Sequence, residues 1–295
     1  MTGVRMRRGL GLVMLLVVAL PALADVVIRM RDGSVHRVPV DPKDVLGVEM
    51  EPGIGRVGPV LPPPSTMVAP TRLGTPWVVN SNGEIFRGDG RSWQTLSGRA
   101  NDIAVGADGS AWVIGTNPQP GGYDIYRWNG REWSRVDGAG ARIAVNARGE
   151  PWVVNANGLI YSRNGNRWRE MPGRASDIGI GGGEVWIIGT NPQPGGYDIY
   201  RWSGSTWSRV AGAAVRIAVG PRGEPWVVNA DGMIYRRVGN QWTEVPGRAR
   251  DIAVSSTGVA WVIGIDPSPG GFFIYHWNGS AFQRVEGAAA QIGAQ

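Results

Sequence analysis

Three short segments carry the residues best suited to recognition chemistry. Thr116 to Gly122 reads TNPQPGG, Thr190 to Gly196 repeats it, and Ile265 to Gly271 gives the variant IDPSPGG. An aromatic residue follows each one: Tyr123, Tyr197 and Phe272. Upstream lie Arg99, Arg174 and Arg248, each three residues before an aspartate, Asp102, Asp177 or Asp251. Amides, a guanidinium and a ring are what a sugar needs, because C–H faces stack on rings while hydroxyls pair with polar groups. The candidate binding set is therefore Asn117, Gln119 and Tyr123 with Arg99; Asn191, Gln193 and Tyr197 with Arg174; and Asp266 and Phe272 with Arg248. A structural alternative stands beside it. Pro and Gly can simply shape a rigid loop, and each arginine can clasp its nearby aspartate, which is the preferred reading of the Arg–Asp spacing. Asp266 and Ser268 replace Asn and Gln in the third copy, so three equal sites are not expected.

Other chemistry finds little support. The chain of 295 residues has no cysteine, which excludes disulfides and thiolate metal sites. His36 and His276 are its only histidines, and no carboxylate cluster accompanies them, against both a metal site and a Ser-His-Asp arrangement. No catalytic residue, metal or cofactor is expected. The formal charge is +6, but Arg5, Arg7 and Arg8 lie in a leader whose removal leaves about +3. So balanced a chain gives no concentrated basic surface for nucleic acid.

The segments belong to repeats. Trp112, Trp186 and Trp261 are equivalent and recur about every 75 residues, and PWVVN motifs at Pro76, Pro151 and Pro225 fall between them. Each long period therefore holds two related units, six in all, each of roughly 35 to 40 residues, a period typical of solenoids and propellers. A unit reads as four short strands, in the second unit DIAV, AWVIG, YDIYRW and WSRV. Asp108-Gly109, the long loop Thr116 to Gly122 and Asn129-Gly130 are its turns. With Gly at 46, Pro at 21 and Trp at 14, the composition suits an all-β fold. Trp77, Trp112, Trp152, Trp186, Trp226 and Trp261 in the second strands are expected to pack between sheets. Trp93, Trp133, Trp168, Trp207, Trp242 and Phe282 open the fourth strands and are expected to do the same.

The first unit begins at its second strand. The final segment Gly287 to Gln295 aligns with Gly212 to Gly220, which leads into a PWVVN motif, so it supplies the missing inner strand. This predicts a six-bladed β-propeller over 70–295, closed by the C-terminal strand, with no open sheet edge at the seam. Loops joining strands two and three share a face with the inter-blade links. That face carries the proline-rich segments, Asn80, Asn155, Asn229 and the three arginines.

Ahead of the propeller, residues 1–24 read as a secretory signal peptide: three arginines, the apolar run Leu10 to Leu20, and Ala22-Leu23-Ala24 as a cleavage site. Export to the periplasm or beyond follows, with no membrane span after cleavage. Residues 25–50 read as a small β-rich unit with a hairpin at Asp32-Gly33, a helical turn near Asp41 and a third strand LGVEM. Residues 51–69 read as a Pro/Gly-rich linker.

Several spaced motifs recur in order: Trp77-Val78-Val79-Asn80 and Trp112-Val113-Ile114-Gly115, IYRWNG at Ile125 and IYRWSG at Ile199, a Trp-led strand, and GAAVRIAVG at Gly212. Over about 70–295 this pattern resembles tectonin repeats. The resemblance implies a six-bladed lectin propeller that recognises surface glycans, often lipopolysaccharide. An envelope-protein scaffold is the second reading and a glycoside hydrolase the third. Arg99, Arg174 and Arg248 invite comparison with the arginine triad of sialidases. They are repeat-related, however, whereas a catalytic site breaks the repeat, and the Asp-box spacing at Asp108 is one residue short.

Overall fold

The computed structural model describes residues 12–20, 23–30, 35–40, 73–89 and 92–295, the first three stretches as backbone only. The chain divides between Ser65 and Thr66 into two compact units. In the first, Leu12–Leu20, Leu23–Met30 and Val35–Val40 form a three-stranded antiparallel sheet. Val17 stands opposite Val26, and Ile28 opposite His36. The first strand lies within the expected leader. The basic start, the turn at Asp32-Gly33, the helical turn near Asp41, LGVEM and the linker lie outside the described residues. Among the described residues no helix is long and apolar enough to cross a membrane.

The second unit is all-β: six four-stranded antiparallel sheets arranged as a propeller. Blade 1 joins Gln291–Ala294 to Pro76–Val79, Glu84–Gly88 and Trp93–Arg99. Blade 2 runs Asp102–Val105, Ala111–Gln119, Gly122–Trp128 and Trp133–Gly140; blade 3 runs Arg142–Val145, Pro151–Val154, Leu159–Asn164 and Arg167–Arg174. Blade 4 runs Asp177–Gly181, Glu184–Gln193, Gly196–Trp202 and Trp207–Ala214; blade 5 runs Arg216–Val219, Pro225–Val228, Met233–Val238 and Gln241–Arg248. Blade 6 runs Asp251–Val254, Ala260–Ser268, Gly271–Trp277 and Phe282–Ala289. Blade 1 is completed as the repeat alignment predicts. Gln291 pairs with Val79, Ile292 with Val78, Gly293 with Trp77 and Ala294 with Pro76.

Alternation along each strand sends apolar side chains into the gaps between sheets. Six hydrophobic clusters result, one at each blade junction. Trp77, Trp112, Trp186, Trp226 and Trp261 in the second strands are all at most 4% exposed, as anticipated, and Trp152 is half-buried. The third residue of every inner strand is Ala or Gly: Ala104, Ala144, Gly179, Ala218, Ala253 and Gly293. Six strands can therefore converge on one axis. A Cβ on Gly179 would stand 3.0 Å from the Ile217 carbonyl of blade 5.

The fourth-strand aromatics do something more specific than fill space. Trp93, Trp133, Trp168, Trp207 and Trp242 donate their indole N–H to backbone carbonyls of the preceding blade's outer strand, at 2.6–2.9 Å. The bond from Trp93 to Glu286 crosses the seam where the chain closes. After each accepting carbonyl comes a glycine in the left-handed region, for example Gly138 with φ 120°. A Cβ there would stand 2.9 Å from the Trp168 nitrogen, so the ring needs both the missing side chain and the turned backbone. In blade 6 Phe282 packs at the same place against Gly247 without the N–H.

Three outcomes follow for unfolding. Trp168→Phe, the residue blade 6 already carries, should cost about 1 kcal/mol, a fall of ~2–4 °C in Tm. Gly138→Ala at the same junction should cost more, and a variant as stable as Trp168→Phe would contradict this account. Deleting Gln291–Gln295 should expose the edge of Pro76–Val79, with a lower Tm and concentration-dependent self-association by light scattering.

Candidate functional site

The face that joins strands two and three carries the expected recognition segments, and their form differs from expectation. Thr116 to Gly122 is not a loop. The second strand of blade 2 runs on to Gln119, which pairs with Gly122, and Pro118 pairs with Tyr123. Only Pro120 and Gly121 lie between them, with Gly121 at φ 91°, a conformation that favours glycine at the second turn position. Blades 4 and 6 repeat the device, with Pro192 opposite Tyr197 and Pro267 opposite Phe272. A bulge after Ile114, Ile188 or Ile263 absorbs the extra residues, which is why the segment reads as irregular in sequence.

The extended hairpins of blades 2 and 4 are fixed at base and tip, and that of blade 6 at its tip. At the base, the buried Asp124 carboxylate accepts the Asn117 side-chain amide at 2.8 Å, the Asn117 backbone N–H at 3.2 Å and the Tyr126 hydroxyl at 2.8 Å. Asp198 does the same for Asn191 and Tyr200. The hydrogen bond to the carboxylate raises the phenol pKa of both tyrosines. Asn117 and Asn191 thus brace the bulge. In blade 6 both members of the pair change together: Asp266 replaces the amide and Phe273 replaces the aspartate, with Arg284 3.7 Å above the Phe273 ring. At the tip, the carbonyls of Gly121, Gly195 and Gly270 each accept a backbone N–H from the next blade, those of Ala156, Ala230 and Ser81.

The remaining candidates surround these hairpins. Tyr123 is 37% exposed, Tyr197 and Phe272 are half-buried, and Phe272 lies 4.0 Å beneath the Arg250 guanidinium. Gln119 and Gln193 are half-buried at the hairpin ends. Asn80, Asn155 and Asn229 turn their side-chain oxygens onto backbone N–H groups two and four residues on, shaping the short turns of the odd blades.

The arginine clasp is corrected. Arg99, Arg174 and Arg248 are exposed and donate to carbonyls of their own blade's turn: Asn82, Asn157 and Asp231. They do not pair with Asp102, Asp177 and Asp251. Those aspartates begin the next inner strand and lie buried at the mouth of the central channel, 6–7% exposed.

There they form a ring that sequence reasoning missed. The six inner strands begin Asp102, Arg142, Asp177, Arg216, Asp251 and Gln291, acid and base alternating except at Gln291, and Asp102, Arg142, Asp177 and Asp251 line a cavity of about 80 Å³. Each aspartate accepts the backbone N–H of the following blade's inner strand: Ile143 at 2.9 Å, Ile217 at 2.8 Å and Ile292 at 2.9 Å. Arg142 stands 3.5 Å from Asp102 and 3.9 Å from Asp177, and donates to Gln291 at 3.0 Å; Arg216 stands 3.4 Å from Asp251. Three carboxylates face two guanidiniums, and Gln291 sits where a third would complete the alternation. Burial pushes Asp251 up to about 7 despite Arg216 and Arg142, with Asp102 and Asp177 adding to the rise. Burial also raises Asp102, against the pull of Arg142. Arg142 is held above its ordinary value: burial pulls it down, and the three aspartates outweigh that. The signal was available, since DIAV, RIAV, DIGI, RIAV, DIAV and QIGA share one register.

On the opposite face, a cleft of about 630 Å³ opens at blades 1 and 2, lined by Trp77, Arg87, Ser110, Arg127, Trp128 and Ser134 among others. Among the described residues no group of His, Asp and Glu is placed to hold a metal ion.

Comparison with known proteins agrees with this architecture. The sequence profile of the family described as Tectonin domain matches residues 65–139, 113–197, 139–232 and 175–273. Tectonin-1 of Physarum polycephalum is 39% identical over 62 residues, which span 21% of this chain and 27% of that relative. Among solved structures, a protein of unknown function from Bacteroides caccae is 9% identical over 75% of this chain and 98% of its own, with a TM-score of 0.50. YCF48 bound to D1 peptide is 16% identical over 72% and 79%, with a TM-score of 0.46. At 9% identity the likeness to the Bacteroides caccae structure concerns the fold alone.

The channel ring makes stability pH-dependent in a defined direction. Between the ordinary carboxylate value of 3.8 and about 7, folded Asp251 holds a proton that the unfolded chain has released. Stability from this group therefore falls as pH rises through that window and levels off above it. Burial lowers His276, which acts in the opposite sense. Comparing the wild type with Asp251→Asn cancels that term. The change in Tm from pH 5 to pH 8 should be more negative in the wild type than in the variant, and identical pH profiles would refute the assignment.

Proposed function

The chain belongs to the tectonin family, and on that premise we propose that it is an exported, lectin-like propeller that holds surface carbohydrate, such as the sugars of lipopolysaccharide, on its hairpin face. Propellers of this family are generally non-catalytic, and the proposed role is binding without turnover. One observation carries the reading. Tyr123 and Tyr197 sit on hairpins pinned at base and tip, and Phe272 on one pinned at its tip, the three repeated around one axis. A ring held this way loses little conformational freedom when a sugar stacks on it, which removes a main cost of weak recognition. Repetition then suits a repetitive surface, where sites of modest affinity gain avidity.

Within this proposal the roles divide. Tyr123, Tyr197 and Phe272 supply the stacking face. Gln119 and Gln193 are the amides left to meet hydroxyls, because Asn117 and Asn191 are engaged with buried aspartates. Arg99, Arg174 and Arg248 are exposed beside the short turns and present their remaining N–H donors to solvent. The third site, with Asp266 and Ser268 in place of the amides, is the weakest.

A glycan array probed with the protein tests this directly. Tyr123→Ala and Tyr197→Ala together should reduce retention on a responding glycan surface at least tenfold, with Tm unchanged within a few degrees. Asn117→Ala should instead lower Tm, because it leaves the buried Asp124 short of a donor. Absence of any bound glycan, with capture of one envelope protein, would replace the lectin reading by the scaffold reading.

A further inference from the structure

Toward the face opposite the hairpins, each even blade meets the next odd blade over a buried second-strand tryptophan, and there the repeat symmetry breaks. Strand register sets Arg127 opposite Trp112, Arg201 opposite Trp186 and His276 opposite Trp261. Two residues before each tryptophan, on the same side of the strand, stand Ser110, Glu184 and Val259. The odd blade contributes the residue opposite its fourth-strand tryptophan: Arg163 in blade 3, Arg237 in blade 5 and Gly88 in blade 1. Two of the three junctions therefore hold a pair of arginines.

At blades 4 and 5 the pair carries its own anion. Arg201 and Arg237 each lie 5.9 Å from the Trp186 ring. Glu184 takes both Nε and Nη2 of Arg201, at 2.6 Å each. A Cβ on Gly223 of blade 5 would stand 2.6 Å from Glu184 Cγ, so this side chain lies inside the junction.

At blades 2 and 3 the same frame holds Ser110. It too abuts the next blade, since a Cβ on Gly149 would stand 2.5 Å from its hydroxyl. Arg127 lies 5.6 Å and Arg163 5.9 Å from the Trp112 ring, and Arg163 also lies 5.3 Å from Trp168. These rings order both guanidiniums without neutralising them. Arg127 reaches the Ser110 hydroxyl at 3.4 Å, and Arg163 reaches Asn166 at 3.3 Å. Neither forms an ion pair among the described residues. The neighbouring Asp108 carboxylate is turned back onto Ser110, whose backbone N–H it accepts at 3.0 Å and whose hydroxyl at 2.7 Å. Burial lowers the Arg163 pKa, Asp137 opposes that through space, and the Arg127 charge lowers it further. The two cations thus repel one another, where in the sister junction a carboxylate answers one of them. The chain itself shows what this frame accepts: a carboxylate on the Nε–Nη2 edge of the arginine beside the tryptophan.

We propose that the junction of blades 2 and 3 is a clip for a compact oxyanion, a carboxylate or phosphate group, held by Arg127 and Arg163 over Trp112. The clip lies apart from the hairpin face, and its success or failure leaves the reading of that face intact.

Isothermal titration of the protein with inorganic phosphate and with acetate, at matched ionic strength, tests the proposal. At least one should bind saturably, and added sodium chloride should weaken the binding. Binding of both marks a general oxyanion clip, of phosphate alone a phosphate site, and of acetate alone a carboxylate site. Arg127→Gln and Arg163→Gln should each weaken binding about tenfold or more, and Ser110→Glu, which copies the sister junction, should abolish it. Arg236→Gln, whose guanidinium stacks on Trp226 at another junction, should leave it unchanged. Adding Glu184→Ser to Arg127→Gln should restore binding, now at blades 4 and 5, and that recovery excludes unfolding as the cause of the first loss. No saturable binding, normal binding in Arg127→Gln, Arg163→Gln or Ser110→Glu, an equal loss in Arg236→Gln, or no recovery with Glu184→Ser would each overturn the proposal.

Discussion

Three buried carboxylates bind this propeller together at its axis. An inner strand is an edge strand, and its channel-side N–H groups have no ladder partner. Asp102, Asp177 and Asp251 each reach across to one such group in the following blade. A hydrogen bond to a charged acceptor contributes about 1.5–3 kcal/mol, but only if the charge tolerates burial. Arg142 and Arg216 supply most of that tolerance. The compensation is incomplete, because Gln291 replaces the third guanidinium. The deficit surfaces at Asp251, whose pKa rises to about 7. The device that joins the blades thus also makes them sensitive to protons near neutrality.

The carboxylates act only from even blades onto the next odd blade. The hairpin tips act in the same sense, from Gly121 to Ala156, Gly195 to Ala230 and Gly270 to Ser81. Two unrelated contacts at different radii therefore define the same three pairs of blades. The peripheral tryptophans work differently, since they link blades to the one before regardless of pairing, including across the closing seam. Closure at the rim thus uses a bonded indole at five of the six junctions and Phe282 at the sixth, whereas closure at the axis and at the hairpin tips is paired.

Such a frame lets individual copies diverge. The bulge of blade 6 has exchanged its Asn–Asp pair for Asp266 and Phe273, and Arg284 now covers the ring. Ser110 stands where Glu184 silences an arginine two blades on. Neither change disturbs strand register, because the contacts that hold the blades lie elsewhere.

The repeat text by itself determined the six blades, their four strands and the borrowed strand at the seam. Those features depend on alternation and on which segment aligns with which, and both are written in the chain. The burial of second-strand tryptophans was legible for the same reason. Side-chain partners were not. Arg99 and Asp102 are three residues apart, yet the link between them leads from the outer strand of one blade to the inner strand of the next. Arg99 turns back to the Asn82 carbonyl of its own blade, while Asp102 turns to the Ile143 N–H of the following one. The aspartate's true partner lies some forty residues on, where only the closed ring brings it near. The amides at Asn117 and Asn191 looked free for a ligand because the aspartates that engage them sit on the facing strand, across a bulge that sequence spacing does not reveal. Tertiary structure alone decided which polar groups are spent on the frame and which are left to meet a ligand.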